Sequence, residues 1–238
     1  MRLKLALLAL ALFGRSFAQT PASPVIVTVG TSSDFGGFPG VAAPGSYIEI
    51  KGANLAGATR EWTDGDFTDG AAPTSLDGVT VSINGEPAFV STVSPGKVIA
   101  QLPDDVPAGG TVPVVVSYQD QASDPADLTI NLVEPGLRAP DSFMVNGRQY
   151  VAAVHATDGA FVSTGRLPGL PPAPAMPGEV LIFYGTGFGP VQQGPVAGQI
   201  ASAQVELAGT FTMTVGMRLR SFNRRVSRWA GSAFTSSR

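Results

Sequence analysis

The chain has 238 residues, of which 44% are apolar and 14% charged, with 29 Gly, 20 Pro, one His and no Cys. A charged fraction well under the roughly 25% of an average soluble chain excludes a disordered polyelectrolyte, and so much Gly and Pro argues against long helices. The absence of Cys removes disulfides, thiol nucleophiles, zinc clusters and iron–sulfur sites, and a single His leaves little for nucleophile–His catalysis.

In chain order, Arg2 and Lys4 precede the apolar run Leu5 to Phe13, and Ser16-Phe17-Ala18 places small residues at the −3 and −1 positions of a cut. This is the pattern of a secretory signal peptide over residues 1–18; the run is too short for a transmembrane helix, which needs about 20 apolar residues. No later run is long enough either, so export without a transmembrane segment is expected, to the medium, the cell surface or the periplasm.

Short β-branched and apolar runs then alternate with turn residues, and strands are expected near Val25–Val29, Ser46–Gly52, Val79–Asn84, Ala88–Val93, Lys97–Leu102, Val112–Tyr118 and Leu128–Val133. Seven strands in such a stretch is the count of an immunoglobulin-like sandwich. In Val79-Thr80-Val81-Ser82-Ile83 the strict alternation sends Val79, Val81 and Ile83 to a buried face. Asn84-Gly85 supplies the positive φ values of a tight hairpin into Ala88–Val93, and Pro87, Pro95, Pro103 and Pro107 stand at run boundaries, where a missing N–H does no harm.

The opening pattern recurs 133 residues later. Pro44-Gly45-Ser46-Tyr47-Ile48-Glu49-Ile50-Lys51-Gly52 corresponds to Pro177-Gly178-Glu179-Val180-Leu181-Ile182-Phe183-Tyr184-Gly185. The chain is therefore expected to be all-β, with two tandem immunoglobulin-like sandwich modules over 19–134 and 135–216, the second incomplete. Within the second, residues 166–177 form a Pro-rich connector, expected to run stiffly as polyproline II.

Charge changes sign near the end. Between the signal peptide and Gly216 there are six basic and 18 acidic residues, a net −12, whereas Met217 to Arg238 carries six Arg and no acid. This 217–238 tail has no alternation and no turn signals. It admits two readings, a shift of reading frame that replaced the missing strands or a genuine basic terminus; only the genuine terminus would bind an anionic surface, and nucleic acid is not expected of an exported chain.

Several residue groups have chemistry to weigh. Asp64, Asp66 and Asp69 crowd one loop with two glycines, the kind of oxygen-rich turn that suits Ca²⁺, although Thr68 and Asp69 break the EF-hand order. Trp62 and Phe67 flank that loop as a candidate platform for sugar rings or a partner. His155 has Asp158 three residues on and Ser163 and Thr164 nearby, but no Gly-x-Ser-x-Gly elbow, so no catalytic residues are assigned. Asp104-Asp105 and Asp124/Asp127 sit beside prolines as turn acids rather than a glycosidase pair. Pro190 rules out the helix that a phosphate loop at Gly185–Gly189 would need.

Taken in order, Ala43-Pro44-Gly45 through Gly52-Ala53-Asn54-Leu55, Leu76-Asp77-Gly78-Val79, Asn84-Gly85-Glu86-Pro87-Ala88, Val93-Ser94-Pro95-Gly96-Lys97 through Pro103, and Phe183-Tyr184-Gly185-Thr186-Gly187-Phe188 resemble IPT/TIG modules. They are closest to the tandem C-terminal repeat region of large secreted proteins of soil bacteria. The resemblance covers roughly residues 25–216, departs after Gly216, and implies an immunoglobulin-like fold in an extracellular setting with no catalytic residues to carry over. The expected function is that of an exported, non-enzymatic structural, spacer or adhesion module. The alternatives are a carbohydrate-binding module using Trp62 and Phe67 with Ca²⁺ on the Asp loop, and an accessory domain of a secreted enzyme. Partners would be a polysaccharide or a protein at the cell surface.

Overall fold

The computed structural model describes residues 22–192, 197–201, 205–210, 212–213 and 227–228. The signal peptide expected at 1–18, and the 217–238 tail apart from Ser227 and Arg228, lie outside the described residues.

The first part is a sandwich of twelve strands: β1 (Val25–Thr31), β2 (Val41–Ala42), β3 (Tyr47–Ala53), β4 (Arg60–Glu61), β5 (Ser75–Leu76), β6 (Val79–Ile83), β7 (Glu86–Pro87), β8 (Phe89–Ser94), β9 (Lys97–Gln101), β10 (Gly110–Tyr118), β11 (Gln121–Ala122) and β12 (Ala126–Ile130). One sheet runs β1-β3-β9-β8-β4. The other runs β2-β12-β10-β6-β5, with β7 added to β6 and β11 to β10. All pairs are antiparallel except β2 with β12. All seven strands expected from the sequence are present.

The two inner faces supply one core. Ile48 and Ile50 from β3, Val90 and Val93 from β8 and Val98 and Ala100 from β9 meet Val79, Val81 and Ile83 from β6, Val114 and Val116 from β10 and Leu128 and Ile130 from β12, all essentially without solvent contact. Each large aliphatic side chain so buried contributes on the order of 1.5–3 kcal/mol relative to exposure. Thr80 and Ser82 point outward between the buried residues of β6, as the alternation requires. In β8 the core valines Val90 and Val93 are three apart, because a bulge between Val90 and Thr92 restores the phase and leaves Ser91 as the extra residue.

The hairpin after β6 differs from expectation. Asn84 and Gly85 have φ of 54° and 89° and close β6 onto β7, with Ile83 opposite Glu86. Pairing then lasts only as far as the Ala88 N–H, which donates to the Val81 carbonyl at 2.9 Å. Beyond Ala88 the chain crosses to the opposite sheet as β8, where Val90 donates to the Pro73 carbonyl. The run Ala88–Val93 is thus a strand that changes sheets. The last expected strand also stops earlier, at Ile130, since Asn131 donates its N–H to Ala42 and its side-chain amide to Glu134, leaving Leu132 and Val133 exposed.

From residue 131 onward the described residues form two-stranded pairs only: β13 (Gly136–Leu137) with β18 (Gly185–Thr186), β14 (Met144–Val145) with β15 (Arg148–Gln149), β16 (Ala153–His155) with β17 (Leu181–Phe183), and β19 (Val205–Glu206) with β20 (Ser227–Arg228). A shift of 133 residues relates these pairs to the sandwich. Ala43-Pro44-Gly45-Ser46 and Met176-Pro177-Gly178-Glu179 are the same turn, with Gly45 at φ 70° and Gly178 at φ 84°. In each, the fourth residue's N–H bonds the first residue's carbonyl and its side-chain oxygen accepts the first residue's N–H.

The register repeats as well. β1 places Val25 opposite Ala53, Ile26 opposite Gly52, Val29 opposite Ile50 and Thr31 opposite Ile48. Shifted by 133, those partners are Thr186, Gly185, Phe183 and Leu181, and they face Gly136, Leu137, Ala153 and His155. β13 and β16 together therefore trace the path of β1. The residues between them, 138–152, enter where β1 carries its own bulge between Ile26 and Thr28.

What differs is the covering layer. Ile48 and Ile50 are fully buried, whereas their counterparts Leu181 and Phe183 are half-buried. The Pro-rich stretch 166–177 is also more engaged than a free spacer. Leu167 is buried against Phe143 and Ala152, and Ala173 exchanges both backbone hydrogen bonds with Ser163.

Candidate functional site

The loop after β4 holds the candidate ligand residues, and a backbone bond positions it. The Trp62 N–H donates to the carbonyl of the bulge residue Ser91 at 2.9 Å. Thr63 then caps a short 3₁₀ turn over Asp64–Asp66, with its N–H and hydroxyl both bonded to the Asp66 carboxylate. The same carboxylate pairs with the Arg60 guanidinium, whose other nitrogen reaches Asp77 at 2.9 Å. The Thr63 backbone N–H first, and Arg60 after it, hold the Asp66 carboxyl below the usual carboxylate range.

This arrangement gives two of the three loop acids other work. Asp66 spends its oxygens on Thr63 and Arg60, and Asp69 with Gly70 forms a tight turn at φ 50° and 79° that closes Thr68 onto Ala71. Asp64, Asp66 and Asp69 are not gathered on one point, and among the described residues no group of three His, Cys, Asp or Glu side chains is placed to hold a metal ion.

Trp62 and Phe67 do meet, with ring centroids 5.1 Å apart at an interplanar angle of 53°. Both are half-buried, and Trp62 packs on the sandwich core. The pair is consequently tilted, with Trp62 packed on the core and part of the pair's surface in solvent.

The loop has a second neighbour from far along the chain. Ala72 donates to the Gly198 carbonyl at 2.7 Å and Ile200 to the Gly70 carbonyl at 2.9 Å, so residues 197–200 lie along the loop as a short extra strand. The Gln101 side chain accepts the Gly198 N–H at 3.0 Å, and Asp104 accepts that of Ala197. Gly198, at φ 77°, lies flat on the Phe89 ring, and a Cβ there would overlap it. Asp104, a turn acid by sequence, is thus an anchor for the second part of the chain.

His155 is buried at the end of β16, but its partner is not Asp158, which caps Ala160. Nδ1 meets the Glu179 carboxylate and Nε2 faces the Ala173 carbonyl at 3.1 Å. A carbonyl only accepts, so Nε2 carries a proton and the arrangement suits an imidazolium paired with a carboxylate. Glu179, with the Ala173 carbonyl adding to it, raises the His155 pKa; the Met176 N–H first and His155 second lower that of Glu179. Ser163 bonds the Gly165 N–H, so these residues form a structural clasp. Glu179 was not singled out by sequence, although it occupies the turn position of Ser46 in the repeat.

The family model described as IPT/TIG domain matches residues 24–130. No curated protein sequence matches the chain. Among solved structures, a gamma-CGTase from Alkalophilic bacillus clarkii matches at 20% identity and a TM-score of 0.32, over 49% of this chain and 13% of that one. An auxiliary nutrient binding protein from Bacteroides thetaiotaomicron matches at 11% identity and a TM-score of 0.29, over 52% and 24% respectively. A surface glycan-binding protein from Prevotella bryantii matches at 11% identity and a TM-score of 0.32, over 70% and 40%. The chain thus spans less than half the length of each of these three. With two sheets packed on one core over those same residues, residues 24–130 form an IPT/TIG domain, an immunoglobulin-like fold.

Proposed function

We propose that this is an exported, non-enzymatic structural module, serving as a spacer or adhesion element at the cell surface or outside the cell. In this reading residues 135–216 are an incomplete second module of the same kind, held against the first. The observation that carries it is the docking of residues 197–200 on the sandwich, where backbone pairs to Gly70 and Ala72 are reinforced by Gln101 and Asp104. Two further bonds join the parts elsewhere: Ala139 donates to the Asp34 carbonyl at 2.7 Å, and Glu134 donates to that of Gly187 at 2.8 Å. A spacer transmits position only when its parts are held together, and fixed points spread along the chain serve that end. Export rests on the basic and apolar pattern of residues 1–18.

The rival reading is a carbohydrate-binding module, favoured by the solvent-facing parts of Trp62 and Phe67. Glycan-array binding by the mature chain, with and without chelator, separates the two. The expected result is no retention on any glycan. Retention that is lost in Trp62→Ala would overturn the spacer reading in favour of sugar binding.

A further inference from the structure

Among the described residues the outer edge of β17 is open. Val180 and Tyr184 turn their carbonyls to the N–H groups of Ala156 and Arg138, on the side of β16 and β13. By the alternation of an antiparallel strand, Leu181 and Phe183 turn their N–H and C=O groups to the opposite side. Among the described residues no strand pairs there, whereas the equivalent edge of β3 is covered by β9.

The residues along this short edge, Val180-Leu181-Ile182-Phe183-Tyr184, carry neither charge nor proline, and the pairing of β17 with β16 has no bulge. The matching stretch of β3 carries Glu49 and Lys51, although it is a covered strand. Val180, Ile182 and Tyr184 are 55%, 43% and 42% exposed, forming one apolar stripe. Five consecutive apolar residues of high β-propensity, with a row of backbone donors and acceptors that no described strand pairs, form a template for strand addition.

We propose that this edge pairs with the same edge of a second copy of the chain, antiparallel about a two-fold axis through Ile182. The stretch is self-complementary. Leu181 then faces Phe183 of the second copy in hydrogen-bonded pairs and Val180 faces Tyr184, each an aliphatic–aromatic match made twice, and no like charges meet. The chain's own counterpart of β9, shifted by 133, is Ala230-Gly231-Ser232-Ala233-Phe234, mostly small residues without alternation, which makes it the weaker occupant.

Because the chain has no cysteine, Ile182→Cys introduces the sole thiol, and it lies at the axis, in a close non-hydrogen-bonded pair. Sedimentation of the wild-type chain across a dilution series should show a monomer–dimer equilibrium. Oxidised I182C should be captured as a covalent dimer, while Phe38→Cys, at an exposed site on the sandwich, stays monomeric. I182K should weaken association by about tenfold or more, through like charges placed opposite each other. A wild-type chain monomeric throughout, or equal cross-linking of I182C and F38C, overturns the proposal.

Discussion

Glu179 closes the Met176–Glu179 turn with one carboxylate oxygen and grips the imidazole of His155 with the other. Both shifts act on stability with a definite sign. His155 is raised above its ordinary 6.5, so its contribution is full below that value and is lost as pH rises through the raised one. Glu179 is lowered from 4.5, so its contribution is full above that value and is lost as pH falls through the lowered one. The clasp is therefore strongest between about pH 4.5 and 6.5, and it weakens on the alkaline side as pH rises through the raised His155 value. Since the chain has one histidine, a single imidazole NMR resonance reports it. Its midpoint should lie above 6.5 and drop in Glu179→Gln; a wild-type midpoint at or below 6.5 would contradict the pairing. Proximity in sequence suggested Asp158 as the partner. Glu179, 24 residues away, arrives only through the pairing of His155 with Leu181, which a local reading does not contain.

Among elements, alternation and turn chemistry make the sandwich strands legible in the sequence. Val79 to Ile83 shows the period, and Asn84-Gly85 shows the turn. The change of sheet at Ala88 is not legible, because a strand that switches layers keeps the same apolar pattern on both sides of the crossing. The bulge at Ser91 is likewise hidden, though it fixes Trp62 and hence the whole candidate site. The 133-residue repeat is visible in Pro-Gly and Gly positions, and the register shows that it extends to strand partners. That equivalence makes a paired test. Ile50→Ala removes a fully buried side chain and should cost about 2–5 kcal/mol in urea unfolding. Its counterpart Phe183→Ala removes a half-buried one and should cost clearly less than the usual ~3–5 kcal/mol for a core phenylalanine. Equal losses would mean that β17 is covered as fully as β3.

For the whole molecule, composition already points to an all-β chain with little catalytic equipment, while the partners of the candidate site's acids are not legible. Three carboxylates stand in one loop, and Arg60, six residues before Asp66 and on a different element, takes one of them. The docking of residues 197–200 has no sequence signal, since Gly198 matters only because the Phe89 ring lies against it.

That docking is central to the proposed structural role, and hydrogen exchange at two amides tests it most directly. The Ala72 and Ile200 N–H groups bond the Gly198 and Gly70 carbonyls and should exchange slowly. Gly198→Val, whose side chain collides with Phe89, should release both while the core amides of β3 and β10 stay protected. Fast exchange of Ala72 and Ile200 in the wild-type chain, or no response to G198V, would contradict a module whose two parts are held together.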